Sequence, residues 1–170
     1  GACGMIVNGV EKLTCITPIC SVTHNKGILK VEPLRNFPVI SDLVVDMSPF
    51  FMKMEETGAS HVLPVEKAGL GYEPQPDPEG QFERLVDCLE CGLCISVCPA
   101  AHTSTSYLGP APLAAIQQTL DQAPNMALLS LADSEIGVWR CHSAYECSAV
   151  CPSNVDPAWR IMNLRRRVIG

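Results

Sequence analysis

The residues best placed to do chemistry are cysteines, and most fall in two runs. The first is Cys88-Leu89-Glu90-Cys91-Gly92-Leu93-Cys94-Ile95-Ser96-Val97-Cys98-Pro99. Three thiols at every third residue, a fourth four residues on and then a proline match the C-x2-C-x2-C-x3-C-P spacing of iron-sulfur cubes. The first three thiolates grip one cube and the fourth reaches a second, so the run requires a partner downstream. That partner is Cys141-His142-Ser143-Ala144-Tyr145-Glu146-Cys147-Ser148-Ala149-Val150-Cys151-Pro152. Laid over the first run, Cys141 matches Cys88, Cys147 matches Cys94, Cys151 matches Cys98 and Pro152 matches Pro99, while Ala144 stands where Cys91 would be.

With crossed ligands, Cys88, Cys91, Cys94 and Cys151 complete a four-thiolate site for a [4Fe-4S] cluster. Cys98, Cys141 and Cys147 supply only three thiolates. A cube corner without a protein ligand readily loses its iron, so the expectation is a [3Fe-4S] cluster there. The alternative at Ala144 is a fourth iron kept on water or a nearby oxygen. Zinc is the other use of clustered cysteines, but structural zinc sites favour pairs of C-x2-C over interleaved triples ending in Cys-Pro.

Two further thiols lie near the start. Met5-Ile6-Val7-Asn8-Gly9-Val10 reads as a strand entering an Asn-Gly hairpin turn, with the return strand ending at Cys15. Cys3 and Cys15 then flank a hairpin, with the spacing of the last two ligands of a plant-type [2Fe-2S] site. The expectation is half a site, completed by two cysteines upstream of Gly1 in an N-terminally incomplete chain. Taken alone, the pair would be ordinary buried thiols. Cys20 matches no ligand position.

The 170 residues carry a formal charge of -6 and ten cysteines. Seven cysteines stand in the two metal-type runs, which argues for a reducing compartment over a disulfide scaffold. Apolar runs are too short to span a bilayer. The acidic balance and scattered aromatics argue against nucleic acid as a partner.

The elements that must position these thiols follow from local pattern. Residues 27–33 read as another strand. A helix is expected from Ser41, with Asp42 in its first turn, a core stripe of Leu43, Val44, Met47, Phe50, Phe51 and Met54, and Pro49 kinking or dividing it. The proline-rich stretch 58–80 reads as a linker between segments 1–57 and 81–170, and 81–87 as a short helix. Helices are expected over 110–122, 124–132 and 157–168, each with proline near its start. Arg160, Arg165, Arg166 and Arg167 make the one basic cluster, either a solvated helix end or a surface for anionic lipid or a membrane partner. His142, beside a proposed ligand, is either a hydrogen-bond donor or proton carrier for the adjacent centre or a polar residue with a backbone partner. Trp139, Trp159 and Tyr145 read as packing residues.

Taken together, the chain resembles the iron-sulfur subunit of the succinate dehydrogenase and fumarate reductase family. The resemblance is carried by Cys3-Gly4-Met5 onward to Cys15, Phe37-Pro38 with Asp42-Leu43-Val44-Val45-Asp46-Met47, the first run with Pro99, and Gly137-Val138-Trp139-Arg140-Cys141 onward to Val155-Asp156-Pro157. It implies an α+β fold, with a partial plant-type [2Fe-2S] ferredoxin-like β domain followed by an α-helical bacterial-type two-cluster ferredoxin domain. It implies a flavoprotein subunit with FAD, hydrophobic membrane-anchor subunits holding quinone, and a peripheral position on the cytoplasmic face of the inner membrane, or the matrix face in mitochondria. His142 and Pro99 would lie near the quinone, and no residue of this chain would touch the dicarboxylate.

Some features pull against others. Ala100, Ala101, His102 and Thr103 replace the Ser and Trp residues of mitochondrial-type succinate dehydrogenases. Gly92-Leu93 and Val155-Asp156-Pro157 are closer to bacterial fumarate reductases, whereas His142 matches the succinate-oxidising members. Iron-sulfur subunits of heterodisulfide reductases, or of complexes oxidising glycerol-3-phosphate or glycolate, are the nearest alternative. Those keep four cysteines in both runs and lack the upstream hairpin. A zinc-stabilised interaction module is the alternative of a different class.

Overall fold

A computed structural model describes residues 2–23, 27–58 and 88–170. The first of these segments holds the hairpin. β1 (Gly4–Val7) and β2 (Val10–Leu13) pair antiparallel, with Val7 opposite Val10. Asn8 and Gly9 both take positive φ, 49° and 84°, as the tight turn requires. β3 (Val31–Glu32) adds to the other side of β1, giving the order β2-β1-β3. The return strand ends at Leu13, not at Cys15. A 3-10 turn, Thr14–Ile16, lifts Cys15 out of the ladder and is followed by the one-turn helix α1 (Ile19–Val22).

The helix expected from Ser41 is corrected by the structure. Val39–Ser41 (β4) and Val44–Val45 (β5) form a small antiparallel ribbon, turned at Asp42 with φ of 51°. β-branched residues fit such a pleat better than a helix. Helix α2 (Ser48–Glu56) starts only where Pro49 falls in its first turn, so Pro49 opens the helix instead of kinking it. The core face narrows to Phe50 and Met54, and Phe51 is exposed.

The last segment is helical. α3 (Leu93–Ser96) lies within the first cysteine run and α4 (Pro99–Thr103) at its end, and α5 (Pro110–Gln122) and α6 (Met126–Ala132) lie between the runs. α7 (Glu146–Ala149) lies in the second run, and α8 (Pro157–Ile169) closes the segment. α5 is buried on nearly every side through Gln117 and packs on α8 through Leu113, Ile116, Leu120, Ile161 and Leu164. α6 starts later than Pro124 because Asn125 caps it, its side-chain oxygen accepting from the N–H of Ala127 at 3.1 Å and of Leu128 at 3.2 Å. The expected linker beyond Gly58 and the helix over 81–87 lie outside the described residues.

Three of the four arginines expected as a basic patch are spent internally. Arg160, only 3% exposed, donates to the Val155 carbonyl and to Gln117 Oε1, both at 3.0 Å. Arg165 donates to the carbonyls of Val138 at 2.6 Å and Cys141 at 2.8 Å. Arg167 pairs with Asp121 at 2.7 Å and also donates to the Leu120 carbonyl. Only Arg166 faces outward with no partner beyond Asn163 of its own helix.

The amino-terminal segments form one wall of the first cysteine loop. Leu13 and Leu34 pack with Cys91 and Leu93, and Phe50 and Met54 pack with Ile95 and Ala111. Asn36 Nδ2 donates to the carbonyls of Ile95, Ser96 and Cys98 at 2.7, 3.1 and 3.2 Å, satisfying the open end of α3. Buried Ser96 donates to Glu11 at 2.9 Å and accepts from the Arg35 N–H at 3.0 Å.

Candidate metal centres

The two cysteine runs fold as copies of one loop. In the first, Glu90 (φ 50°) and Gly92 (φ 74°) flank Cys91; in the second, Ser143 (φ 55°) and Tyr145 (φ 61°) flank Ala144. Each loop then makes a single helical turn, α3 or α7, at the same offset from its cysteines. Each turn also ends in the same bond, Cys98 N–H to the Ile95 carbonyl at 3.1 Å and Cys151 N–H to the Ser148 carbonyl at 3.2 Å. The left-handed residues reverse the chain so that thiols three apart face one point. Gly92 is required twice over, because a Cβ there would also lie 3.0 Å from Met47 and Phe37.

Between the loops lie two recesses. One, of about 440 Å³, is lined by Cys88, Cys91, Cys94 and Cys151, with Phe50, Ala111 and Val155 among the apolar walls. The other, of about 330 Å³, is lined by Cys98, Cys141 and Cys147, with Pro99, Tyr107, His142 and Ala144 around them. The last cysteine of each run has crossed to the other run's recess.

Electrostatics sorts the thiols the same way. Burial pushes Cys88 up, and the nearby sulfurs of Cys91 and Cys151 add to it against a hydrogen bond from the Glu90 N–H. Cys91 is raised by burial and by Cys151. Cys94 is held well above the ordinary thiol value by burial, then by Cys88, Cys91, Cys147 and Cys151. In the second recess burial raises Cys98 with help from Cys141, and burial with Cys98 and Cys141 pushes Cys147 up to about 12. Neighbouring thiolates repel one another's charge, so the shifts report which sulfurs share a space. Cys94 also feels the Cys147 sulfur across the divide.

A third pair sits at the hairpin. The Sγ atoms of Cys3 and Cys15 are 2.8 Å apart, and their mutual hydrogen bond lowers Cys3 and raises Cys15. Thr14 ties this corner by donating to the Cys3 carbonyl from both its N–H and its hydroxyl at 3.0 Å. Cys3 packs against the apolar cluster containing Cys91, so the thiols run in series from the hairpin through the first recess to the second.

The donor set fits clusters. Among the described residues no group of three or more His, Cys, Asp or Glu is close enough to hold a single metal ion. The thiols are instead spread round two recesses, as they must be when each binds its own iron of a cube. Positive iron would also invert the raised thiol values. Backbone N–H groups point at the sulfurs, with Val155 N–H on Cys151 at 3.3 Å and Ser143 N–H on Cys141 at 3.4 Å. Such bonds are among the means by which proteins set cluster potentials.

The other residues singled out in the sequence distribute unevenly. His142, Pro99 and Ala144 are exposed at the mouth of the second recess. Cys20 is exposed and belongs to neither recess. Trp139 and Trp159 are half-exposed, and Trp139 donates from its ring nitrogen to Asp133 at 2.8 Å while Arg165 stacks on its face at 5.6 Å. Tyr107 goes unmarked in the sequence, and Arg160 reads there only as part of a basic cluster. Tyr107 lies against the second recess, and buried Arg160 holds the Val155 carbonyl beside the first. Neither stands in a cysteine motif, so only packing reveals them.

Comparison with known proteins agrees with this arrangement. Residues 1–52 match the model of a 2Fe-2S iron-sulfur cluster binding domain, and residues 84–155 that of a 4Fe-4S dicluster domain. The chain is 37% identical to the fumarate reductase iron-sulfur subunit of Mycobacterium tuberculosis, over 97% of this chain and 68% of that protein. It belongs to the iron-sulfur subunit family of fumarate reductase and succinate dehydrogenase.

A member of that family in Coxiella burnetii, a succinate dehydrogenase iron-sulfur subunit, is 28% identical over 99% of this chain and 72% of its own length. Among solved structures, a chain of the Mycobacterium smegmatis Sdh1 complex in the apo form superposes with a TM-score of 0.74 at 25% identity, over 99% of this chain and 72% of that one. The chain spans about two thirds of the length of the fumarate reductase relatives it matches. As a member of the family it is an iron-sulfur electron-transfer subunit of an oxidoreductase complex with other subunits. Among the described residues no helix is long and apolar enough to cross a membrane.

Proposed function

We propose that this chain is the wire of its complex, accepting electrons from or returning them to a FAD-containing flavoprotein subunit and exchanging them with quinone at hydrophobic membrane-anchor subunits. Bound clusters supply one-electron carriers whose potentials the protein tunes. Cys88, Cys91, Cys94 and Cys151 hold a [4Fe-4S] cluster, Cys98, Cys141 and Cys147 a [3Fe-4S] cluster, and Cys3 with Cys15 two ligand positions of a [2Fe-2S] cluster. The chain divides into a sheet-bearing part over 1–57, a linker over 58–80 and a helical two-cluster part over 81–170. Pro99 and exposed His142 face the quinone side, and the subunit lies peripherally on the membrane, on its cytoplasmic or matrix face.

One observation supports this reading: the three thiol groups stand in series, with Cys3 packed toward the cluster of Cys91, and with α3, which carries Cys94, packed against α7, which carries Cys147. A relay needs that order. The chain's own residues bury the thiols, fix their loops and aim N–H groups at the sulfurs. The test is Cys94→Ala in the assembled complex. Flavin reduction by succinate should persist while quinone reduction falls to background; undiminished quinone reduction would contradict the assignment.

A further inference from the structure

Among the described residues only two buried side-chain polar atoms lack a hydrogen-bond partner, Tyr107 Oη and Arg165 Nε. Tyr107 is 2% exposed and lines the recess of Cys98, Cys141 and Cys147. The Cys141 sulfur lies on its side but short of good hydrogen-bond geometry. A buried hydroxyl without a partner is costly, and phenylalanine would fill the same core space without that cost. The surrounding fold keeps the ring still. Lys53 Nζ donates to the Tyr107 carbonyl at 2.7 Å, the Tyr107 N–H bonds the Ser104 carbonyl at 3.3 Å, and the next N–H bonds the Ile136 carbonyl at 3.0 Å. The ring itself packs in the core of Leu113, Ile116 and Ile161.

We propose that the Tyr107 hydroxyl is a tuning donor, giving its hydrogen bond to a sulfur of the centre held by Cys98, Cys141 and Cys147 and raising that centre's reduction potential. The inference rests on the reading that those three thiols hold a cluster. One electron enters the centre on reduction and the phenol keeps its proton throughout. The added negative charge strengthens the bond in the reduced state more than in the oxidised one, so the donor favours reduction. The first recess has no counterpart among its lining residues, which supply no tyrosine, serine or threonine hydroxyl apart from Ser153.

The experiment is a redox titration of the intact complex, followed by low-temperature electron paramagnetic resonance, with the first-recess cluster as internal reference. In Tyr107→Phe the midpoint of the second centre should fall by about 40 mV, the fivefold change in reduction equilibrium that one net hydrogen bond carries. The first centre should not move. Incorporation of 3-fluorotyrosine at 107 keeps ring and hydroxyl while making a stronger donor, and should shift the second midpoint upward. That variant decides the matter if Tyr107→Phe fails to retain its cluster. An intact second-centre signal with the same midpoint in every variant that retains it would overturn the inference while leaving the cluster assignment standing. A wild-type complex with no signal from the second centre would overturn both.

Discussion

The two recesses are built from one loop used twice, and they differ where the copies diverge. The first has four thiols and is walled by α2 and the amino-terminal hairpin region, with Asn36 satisfying three carbonyls at the end of α3. The second has three thiols, an exposed alanine at the fourth position, and an open mouth carrying His142 and Pro99. Exposed Leu89 and Pro152 stand at the rim of the first, and exposed Pro99, His142 and Ala144 at the rim of the second. Backbone geometry is thus the conserved part of the duplication and side-chain identity the adjustable part. A cluster-binding loop keeps its shape after losing a ligand because its left-handed residues and helical turn do not depend on the missing thiol.

The largest effect should come from restoring the ligand. Ala144→Cys in the full complex would give the second recess four thiolates, and the oxidised-state paramagnetic signal of a three-iron centre should disappear, with iron content rising by about one atom per protein. Iron analysis and electron paramagnetic resonance check this together. Arg160→Met comes next. It removes two buried charge-assisted hydrogen bonds between α8, Val155 and Gln117, and should cost about 3 kcal/mol, read as a drop of roughly 9 °C in melting temperature.

Asn36→Ala should cost about 2 kcal/mol and act unevenly, since it unties α3 but not α7. Chelator challenge should then strip the first cluster faster than in the wild type, with the second unchanged. The smallest effect belongs to Tyr145, a bulky residue at φ 61° where the first loop has glycine. Tyr145→Gly should leave stability equal or raise it by about 1 kcal/mol, measured by thermal unfolding.

The crossing of Cys98 and Cys151 to the other run's recess was legible because cysteine spacing is itself the geometry: a run of this kind folds in few ways, and its duplicate lacks only one of the four cysteines. The hairpin turn at Asn8-Gly9 and the proline-opened helices α5 and α8 were legible for the same local reason. The segment from Ser41 was misread because its apolar residues recur at helical spacing, whereas Val39, Val44 and Val45 are β-formers and Pro49 cannot sit mid-helix. The arginines misled differently. Charge clustered in sequence gave no sign that Arg160 turns inward to Gln117, Arg165 to the Cys141 loop and Arg167 to Asp121, because each partner lies more than twenty residues away. Tyr107 was invisible for that reason too, its place beside Cys141 being set wholly by tertiary packing.

Low-temperature electron paramagnetic resonance of the anaerobically purified, mildly oxidised complex distinguishes a four-thiolate from a three-thiolate centre without any variant. An oxidised three-iron centre carries an odd electron and an oxidised four-iron cube does not. With four thiols at one centre and three at the other, a near-isotropic signal is expected before any reductant is added, from the centre of Cys98, Cys141 and Cys147. Silence in the oxidised state, with cube signals appearing only on reduction, would contradict it.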